Sequence, residues 1–200
     1  MTETDSEALA ERLRSLGLYG LLAHLSEVAS QPWVGTLLQW EESERASRGL
    51  ARRIQAAHIG RFRPMTDFDW TWPKKLDRDA LDEAFGLDFI AQADNLVLLG
   101  PNGVGKTMIA QNLCYQAVLR GVPALFTTAS ALLADLSERH TSYGLQQRLR
   151  HYARPKLLCI DEIGYLSYDA RAADLLFEVI TRRYQRTSTI VSTNKPRSEE

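Results

Sequence analysis

Apolar residues recur at helical spacing through the first quarter of the chain. Leucines three or four positions apart predict a helix that ends at Gly17, and a second helical pattern follows directly. A third begins at Pro32, because proline is tolerated in the first turn of a helix. The periodicity is lost between residues 62 and 73, where prolines and aromatic residues are typical of a linker. The pattern predicts a helical N-terminal domain over residues 1–65 and a second domain over residues 66–200.

The second domain alternates short apolar runs with helical patterns. The predicted strands are Leu96–Leu99, Ala124–Thr128, Leu157–Ile160 and Thr189–Thr193. A β-α-β-α alternation predicts an α/β fold with a parallel sheet and helices on both faces. Because the first run is uninterrupted by polar residues, we expect it to be a strand buried on both faces.

The first predicted strand leads into a phosphate-binding loop. Gly100–Thr107 fits the pattern GxxxxGK[ST], in which glycines let backbone N–H groups converge on a phosphate at a helix N-terminus. Lys106 is expected to bridge the β- and γ-phosphates, and Thr107 to offer its hydroxyl to Mg²⁺. Phe89 and Ile90 are either one wall of an adenine pocket or ordinary core. The residues predicted to bind ATP or ADP are Gly100, Pro101, Asn102, Gly103, Val104, Gly105, Lys106, Thr107 and Met108.

Polar residues follow two of the other predicted strands. Asp161 and Glu162 end the third strand, 55 residues after Lys106. Asp161 is expected to hold Mg²⁺ through its water shell, and Glu162 to orient or deprotonate the attacking water. Asn194 closes the fourth strand and is expected to contact that water or the γ-phosphate, the function called sensor 1. The alternative for Asn194 is a turn residue before Pro196.

Two short patterns also raise the possibility of a GTPase. Asp161–Gly164 fits DxxG, and Asn194–Arg197 fits half of NKxD. Guanine recognition by the second pattern needs a carboxylate acceptor, and Arg197 carries only donors. A nucleotide kinase is also disfavoured, because it does not need Glu162 beside the metal-binding aspartate. The motifs favour an ATPase that converts ATP and water to ADP and phosphate.

Charge and composition narrow the class of protein. A net charge of −1 excludes nucleic-acid coating through bulk charge, so contact with DNA must come from local patches. No apolar run is long enough to cross a bilayer, and the acidic start is unlike a signal peptide, so we expect a cytoplasmic protein without membrane contact. Cys114 and Cys159 lie in apolar stretches and are predicted to be core residues.

A basic cluster in the third helical pattern has two interpretations. Its members, predicted to contact DNA phosphates, are Arg45, Arg48, Arg52 and Arg53. The alternative is a solvated helix face stabilised by ion pairs one turn apart, from Glu41 to Arg45 and from Glu44 to Arg48.

With these residues assembled, the chain resembles the IstB family, the AAA+ ATPase helpers of insertion-sequence transposases and relatives of the helicase loader DnaC. The segments that carry the resemblance are Phe68–Trp70, Asp88–Ile90, Asn95–Ala110, Phe126–Ala129, Leu157–Leu166, Arg183–Tyr184 and Ser192–Asn194. The resemblance implies a sheet of order 5-1-4-3-2 and a homo-oligomer, in ring or helical form, on double-stranded DNA. It also implies recruitment or activation of a transposase. The alternatives are a DnaC-like helicase loader and a nucleotide-gated DNA scaffold in which hydrolysis is incidental.

The sequence also departs from the family pattern. Met108 stands where the family usually has histidine, and Lys195, Arg197 and Glu200 replace apolar or aromatic residues. The family continues with a fifth strand, an arginine finger and a sensor 2 region, which are not found before Glu200. We therefore expect a chain truncated after sensor 1, with weak hydrolysis and self-association through an uncovered first strand.

Overall fold

The computed structural model describes residues 3–139, 141–165 and 170–194. The chain divides into two compact units, residues 1–51 and 52–200. The predicted boundary between residues 65 and 66 lies inside the second unit, and the assignment of the first domain to DNA or partner contact stays a prediction. Residues 195–200, where the departures after sensor 1 were noted, lie outside the described residues.

The first unit is helical, as its apolar periodicity predicts. Its helices are α1 (Glu3–Ser15), α2 (Tyr19–Ala23), α3 (Leu25–Val28) and α4 (Pro32–Ala56), the last continuing into the second unit. Its buried core consists of Leu13, Leu16, Val34 and Leu38. A bidentate pair joins α1 to α4, with Arg12 Nε and Nη2 donating to the Glu42 carboxylate at 2.8 and 2.9 Å.

The second unit is a parallel α/β sheet. After a 3₁₀ turn at Met65–Asp67, its elements are α5 (Arg78–Gly86), α6 (Asp88–Ala91), β1 (Leu96–Leu99), α7 (Lys106–Leu119), β2 (Ala124–Thr128), α8 (Ala129–Ser137), α9 (Ser142–Ala153), β3 (Leu157–Asp161), a second 3₁₀ turn at Ile163–Tyr165, α10 (Ala170–Arg183) and β4 (Ser188–Thr193). The described strands are parallel in the order β1-β4-β3-β2. The predicted fold class, with β4 between β1 and β3, is confirmed.

Both faces of the central strands are covered by helices. Leu158 and Ile160 of β3 pack in one buried cluster with residues of α8, α9 and α10. Side chains alternate along a strand, so Leu157 and Cys159 point to the opposite face. There α7 lies against β2, β3 and β4, with Leu113 fully buried. The alternation of strands and helices in the sequence produces this layered core.

One prediction about β1 is wrong. Val97 and Leu99 expose 61% and 54% of their surface, whereas Leu96 and Leu98 are half-buried. Within the described residues β1 pairs with β4 on one side only, and the cluster of α8, α9 and α10 packs on β2 and β3. An apolar run specifies a strand, but the extent of its burial depends on which neighbours cover it.

Two expectations drawn from composition can be compared with the structure. Cys114 and Cys159 are unpaired thiols in the core, and burial raises the pKa of Cys114 to about 12. Both cysteines are therefore packing residues, as predicted. Among the described helices, none combines the length and the apolar character that crossing a membrane requires.

The start of β4 is held by a buried guanidinium. Arg183, at the end of α10, is 1% exposed. It donates to the carbonyls of Tyr152 and Pro155 at 2.8 and 2.9 Å, to the carbonyl of Ser188, and to the Thr189 hydroxyl at 3.0 Å. Burial lowers the pKa of Arg183 to about 10. The side chain thereby connects α10 with the end of α9 and the first residues of β4.

A partly exposed charged cluster connects α8 to α9. The Asp135 carboxylate accepts from Arg139 at 2.8 Å, from Arg148 Nε at 2.7 Å and from the Tyr152 hydroxyl at 2.8 Å. Burial alone raises the pKa of Asp135, but these hydrogen bonds outweigh it and lower the pKa to about 2. The cluster stabilises the folded state in the range where Asp135 is ionised.

We expect Asp135→Asn to destabilise the protein by at most about 2 kcal/mol at pH 7. The folded pKa lies below the unfolded value, so the contribution is present above pH 4 and is lost as pH falls from about 4 towards 2. Urea unfolding at several pH values from 7 to 3 measures the difference in the free energy of unfolding between mutant and wild type. Glu138→Gln, an exposed change at the end of the same helix, is the control. If this difference in free energy does not become smaller below pH 4, ionised Asp135 is not the source of the stabilisation.

Candidate functional site

A cavity of about 760 Å³ lies within the second unit, at the ends of the strands where the predicted motifs meet. This volume is typical of small-ligand and cofactor sites. The predicted site residues that line it are Asn102, Gly103, Gly105, Lys106, Thr107, Met108 and Glu162. Lining residues that were not predicted as site residues are Arg61, Phe62, Arg63, Gln111 and Ser192. The motif residues therefore converge on one cavity, together with a segment that precedes the phosphate loop.

The loop between β1 and α7 has the geometry of an anion cradle. Gly103 and Gly105 have φ of +78° and +90°, a left-handed conformation that favours glycine. Gly105 is the N-cap of α7 and has no capping side chain, so the N–H groups of the first helical turn remain for a ligand. At Gly105 space is restricted as well, since a Cβ would lie 2.6 Å from the Phe68 ring.

The Lys106 side chain is folded against its own loop. Its Nζ donates to the carbonyls of Gly100 and Pro101, both at 2.7 Å. An ammonium group has three donors, so these bonds leave the third for an anion in the cavity. The two carbonyls hold the ammonium group against the loop that lines the cavity.

Three of the predicted loop residues line only a second cavity, which Lys106 borders as well as the first. Gly100, Pro101 and Val104 border a second cavity of about 470 Å³ beside β1 and α5. Val104 is 8% exposed. The predicted loop residues that line the first cavity are therefore Asn102, Gly103, Gly105, Lys106, Thr107 and Met108.

The end of β3 carries the two predicted acidic residues in different environments. Asp161 is 2% exposed, whereas Glu162 is exposed and lines the cavity. The hydroxyl of Ser192 in β4 donates to the Asp161 carboxylate and accepts from the Glu162 backbone N–H at 2.9 Å. Glu162 has φ +62°, which is uncommon outside glycine. The Ser192 hydroxyl thus joins the buried carboxylate of Asp161 to the backbone of Glu162, whose residue lines the cavity.

Asn194 lies beside the turn that follows β3. Its Oδ1 is buried and has no hydrogen-bond partner within the described part of the chain. The contact with Gly164 is close, because a Cβ added there would lie 2.3 Å from that oxygen. Asn194 and Asp161 are not among the described residues that line the cavity. The sensor 1 assignment stays a prediction.

One wall of the cavity is formed by residues 61–63. Two neighbouring amides of α7 hold this segment, since Gln111 donates to the carbonyl of Ile59 at 3.1 Å and Asn112 to that of Arg63 at 2.8 Å. The rings of Phe62 and Tyr115 are 5.2 Å apart. Phe89 and Ile90, for which an adenine wall was one interpretation, do not line this cavity in the described structure.

The charges of the wall favour an anionic ligand. Arg61, Arg63 and Lys106 line the same cavity as Glu162. Three cationic side chains and one carboxylate leave an excess of positive charge at the cavity. A nucleoside triphosphate is negatively charged and therefore suits it. Arg61 and Arg63 are exposed and line this cavity, although neither belongs to a motif.

The residues present also fit Mg²⁺ bound together with a nucleotide. Thr107 lines the cavity with a hydroxyl, and Asp161 supplies a carboxylate, both oxygen donors of the type that Mg²⁺ prefers. Over the described ranges there is no cluster of three histidine, cysteine or acidic residues that could hold a metal alone. A magnesium ion at this site would therefore take most of its remaining ligands from phosphates and water.

Three of the four arginines predicted to contact DNA have partners within the protein. Both predicted ion pairs are present, from Arg45 to Glu41 at 3.6 Å and from Arg48 to Glu44 at 3.2 Å. Arg53 donates to the Val118 carbonyl at 3.3 Å, and Arg52 is exposed. The ion-pair interpretation is confirmed for these two pairs, and DNA contact by the four arginines stays a prediction.

Comparison with known proteins agrees with the resemblance drawn from the motifs. A family profile described as IstB-like ATP binding protein matches residues 7–199. The predicted ATP-binding protein of insertion sequence IS21 from Pseudomonas aeruginosa is 35% identical over 158 residues, 79% of this chain and 60% of the relative. Its counterpart in insertion sequence IS5376 of Geobacillus stearothermophilus is 32% identical over 187 residues, 94% of this chain and 73% of the relative.

A solved structure shows the same fold. DnaA from Aquifex aeolicus, bound to AMPPCP, aligns with a TM-score of 0.58 over 66% of this chain and 42% of that one, at 19% identity. At this identity the likeness concerns the fold alone, a parallel sheet with helices on both faces. The chain spans 60% of the length of the IS21 relative.

We expect Gly105→Ala to destabilise the protein more than Gly103→Ala does. Both glycines have positive φ, which costs alanine about 1 kcal/mol, but a Cβ at position 103 meets open space. A Cβ at position 105 must also displace the Phe68 ring, which adds about 1 to 3 kcal/mol. Urea unfolding of the two variants measures the difference, and equal losses would show that the ring yields freely.

Proposed function

Because this chain belongs to the IstB-like ATP-binding protein family, we propose that it binds and hydrolyses ATP as a helper protein of DNA transposition. The observation that carries the proposal is the meeting of Lys106 and Glu162 at one cavity. A loop cation at a helix N-terminus serves to bind phosphates, and an exposed carboxylate beside it serves to activate water. The names of the IS21 and IS5376 relatives support the assignment to an insertion sequence.

The phosphates would be held by the loop and the first turn of α7. Gly103 and Gly105 line the cavity and their left-handed backbone suits a loop whose N–H groups bind phosphate, and Lys106 adds a positive charge held by two carbonyls. Bound Mg²⁺ would supply further positive charge to neutralise the phosphates. Thr107 and Asp161 are the residues that would hold it.

Glu162 is the residue proposed to act on water. Its carboxylate is exposed at the cavity, where it can accept a hydrogen bond from a water molecule and take its proton. Asn194 is proposed to assist in placing that water or the γ-phosphate. Its partnerless oxygen in the described structure is compatible with a hydrogen bond that forms when the ligand is present.

The nucleoside would lie towards residues 61–63. Phe62 offers the face or edge of a half-buried ring, and the amides of Gln111 and Asn112 hold its segment against α7. Arg61 and Arg63 are long enough to contact ribose or phosphate oxygens. With this wall, the cavity would hold the nucleoside as well as the triphosphate.

The proposed activity in transposition includes double-stranded DNA, a transposase and further copies of the chain. We propose that ATP favours a homo-oligomer on DNA, and that this assembly recruits or activates the transposase. The resemblance to the family and the insertion-sequence names of the relatives support this. ATP turnover that DNA leaves unstimulated would favour a nucleotide-gated scaffold instead.

We expect Glu162→Gln to retain ATP binding and to lower the rate of hydrolysis by roughly 10² to 10⁴, the usual contribution of a positioned base. Lys106→Ala is the matched comparison, because it removes a phosphate contact and is expected to abolish tight binding. A fluorescent ATP analogue measures affinity, and phosphate release measures turnover. Wild-type turnover in Glu162→Gln would remove this residue from the mechanism.

We expect simultaneous replacement of Arg48, Arg52 and Arg53 by alanine to weaken DNA binding equally across sequences and to lower its salt dependence. The control removes the same charge elsewhere, by replacing the exposed Arg14, Arg150 and Arg171. Fluorescence anisotropy on duplex DNA at several salt concentrations gives the slope. If both triple variants keep the wild-type slope, the arginines of α4 do not contact phosphates.

A further inference from the structure

Ser192 occupies a position between the two acidic residues of the site. The register that places Ile160 beside Val191 places Asp161 beside Ser192 at the next step of β3 and β4. Both side chains are buried, at 2% and 1% exposure. Ser192 also lines the cavity, so its hydroxyl lies at the boundary between the sheet and the ligand space.

The directions of the two hydrogen bonds at this hydroxyl are fixed by chemistry. An ionised carboxylate can only accept, so the serine O–H donates to Asp161. A backbone N–H can only donate, so the same oxygen accepts from Glu162 at 2.9 Å. One hydroxyl therefore uses its single proton on one acidic residue and a lone pair on the other.

The second of these bonds stabilises an unusual backbone. β3 ends at Asp161, and the chain then turns out of the sheet through Glu162 at φ +62°. A left-handed conformation is unfavourable for glutamate and persists where its surroundings hold it. The Ser192 oxygen satisfies the N–H that leaves the strand ladder, and the turn directs the Glu162 side chain to the cavity.

The next residue connects β4 to the phosphate loop. The Gly100 N–H donates to the carbonyl of Thr193 at 3.2 Å. The end of β4 thus contacts the loop on one side through its backbone and the end of β3 on the other through Ser192. A shift of Ser192 would change the relative placement of Asp161 and Glu162 without removing either carboxylate.

We propose that Ser192 is a positioning residue of the hydrolytic site, which orients the Asp161 carboxylate and fixes the backbone of Glu162 through one hydroxyl. This rests on the proposed function, because the two carboxylates are taken to hold Mg²⁺ and to activate water. Ser192 contacts neither ligand in this proposal and acts through its neighbours. Loss of such an outer partner costs about 10- to 100-fold in metal affinity or activity.

The test compares Ser192→Ala with Ser188→Ala. Ser188 lies on the same strand, is fully buried and donates to the Phe89 carbonyl at 3.1 Å, far from the acidic pair along β4. Both changes remove one buried hydroxyl from β4. We expect only Ser192→Ala to raise the Mg²⁺ concentration needed for half-maximal ATP binding by about 10-fold and to lower kcat by about 10- to 100-fold. Ser192→Thr, which keeps the hydroxyl, is expected to restore most of both.

Hydrogen exchange provides a measurement independent of turnover. In nucleotide-free protein, the amide of Glu162 should exchange at least about 10-fold faster in Ser192→Ala than in wild type and stay protected in Ser188→Ala. Equal protection in all three proteins, or equal losses of Mg²⁺ affinity in the two alanine variants, would overturn the proposal. If wild type binds Mg-ATP without hydrolysing it, the proposed ATPase activity is wrong. The Mg²⁺ dependence of ATP binding and the exchange of the Glu162 amide still test whether Ser192 is a positioning residue.

Discussion

The pairing of β4 between β1 and β3 is the constraint on which the candidate site depends. β1 leads into the phosphate loop, and β3 ends in the acidic pair, more than 50 residues further along the chain. Parallel strands require crossover connections, so these two ends come together only because α7, α8, α9 and α10 return the chain across the sheet. β4 then joins them, through the bond from Gly100 to Thr193 and through the hydroxyl of Ser192.

The parts of the fold that the sequence predicted well are those with a dense local signal. β1 and β2 were predicted with the bounds that the structure shows, because each is an apolar run bordered by glycine, proline or a helix start. The phosphate loop was predicted because its glycines permit backbone conformations that few other residues adopt. Gly103 and Gly105 have such conformations in the structure. Asp161 and Glu162 were predicted as site residues because they lie at the end of a predicted strand.

The parts that escaped prediction depend on contacts between distant residues. Phe62 reaches the cavity because amides about 50 positions later in α7 hold its segment, and single-sequence periodicity carries no trace of such a bond. Ser192 is one of several hydroxyl residues in β4, and its importance follows from the register with β3. The exposure of Val97 similarly depends on which helices lie beside β1.

The polar residues of the site thus differ in how they can be recognised. Lys106 and Glu162 belong to motifs whose chemistry is visible in the residue types themselves. Gln111 and Asn112 lie in α7, and their two amides interrupt its apolar pattern. Such an interruption on a buried helix is a usable signal, since buried amides require partners and Asn112 is 8% exposed.

The buried guanidinium of Arg183 makes the opening of this region cooperative. Its bonds end on carbonyls of Tyr152 and Pro155 and on Ser188 and Thr189, so three segments share one cation. Separation of any one segment leaves part of that cation without partners, at a cost well above that of an exposed arginine. The end of α9, the end of α10 and the start of β4 therefore form a single unit of local unfolding, in which none of the three frays independently.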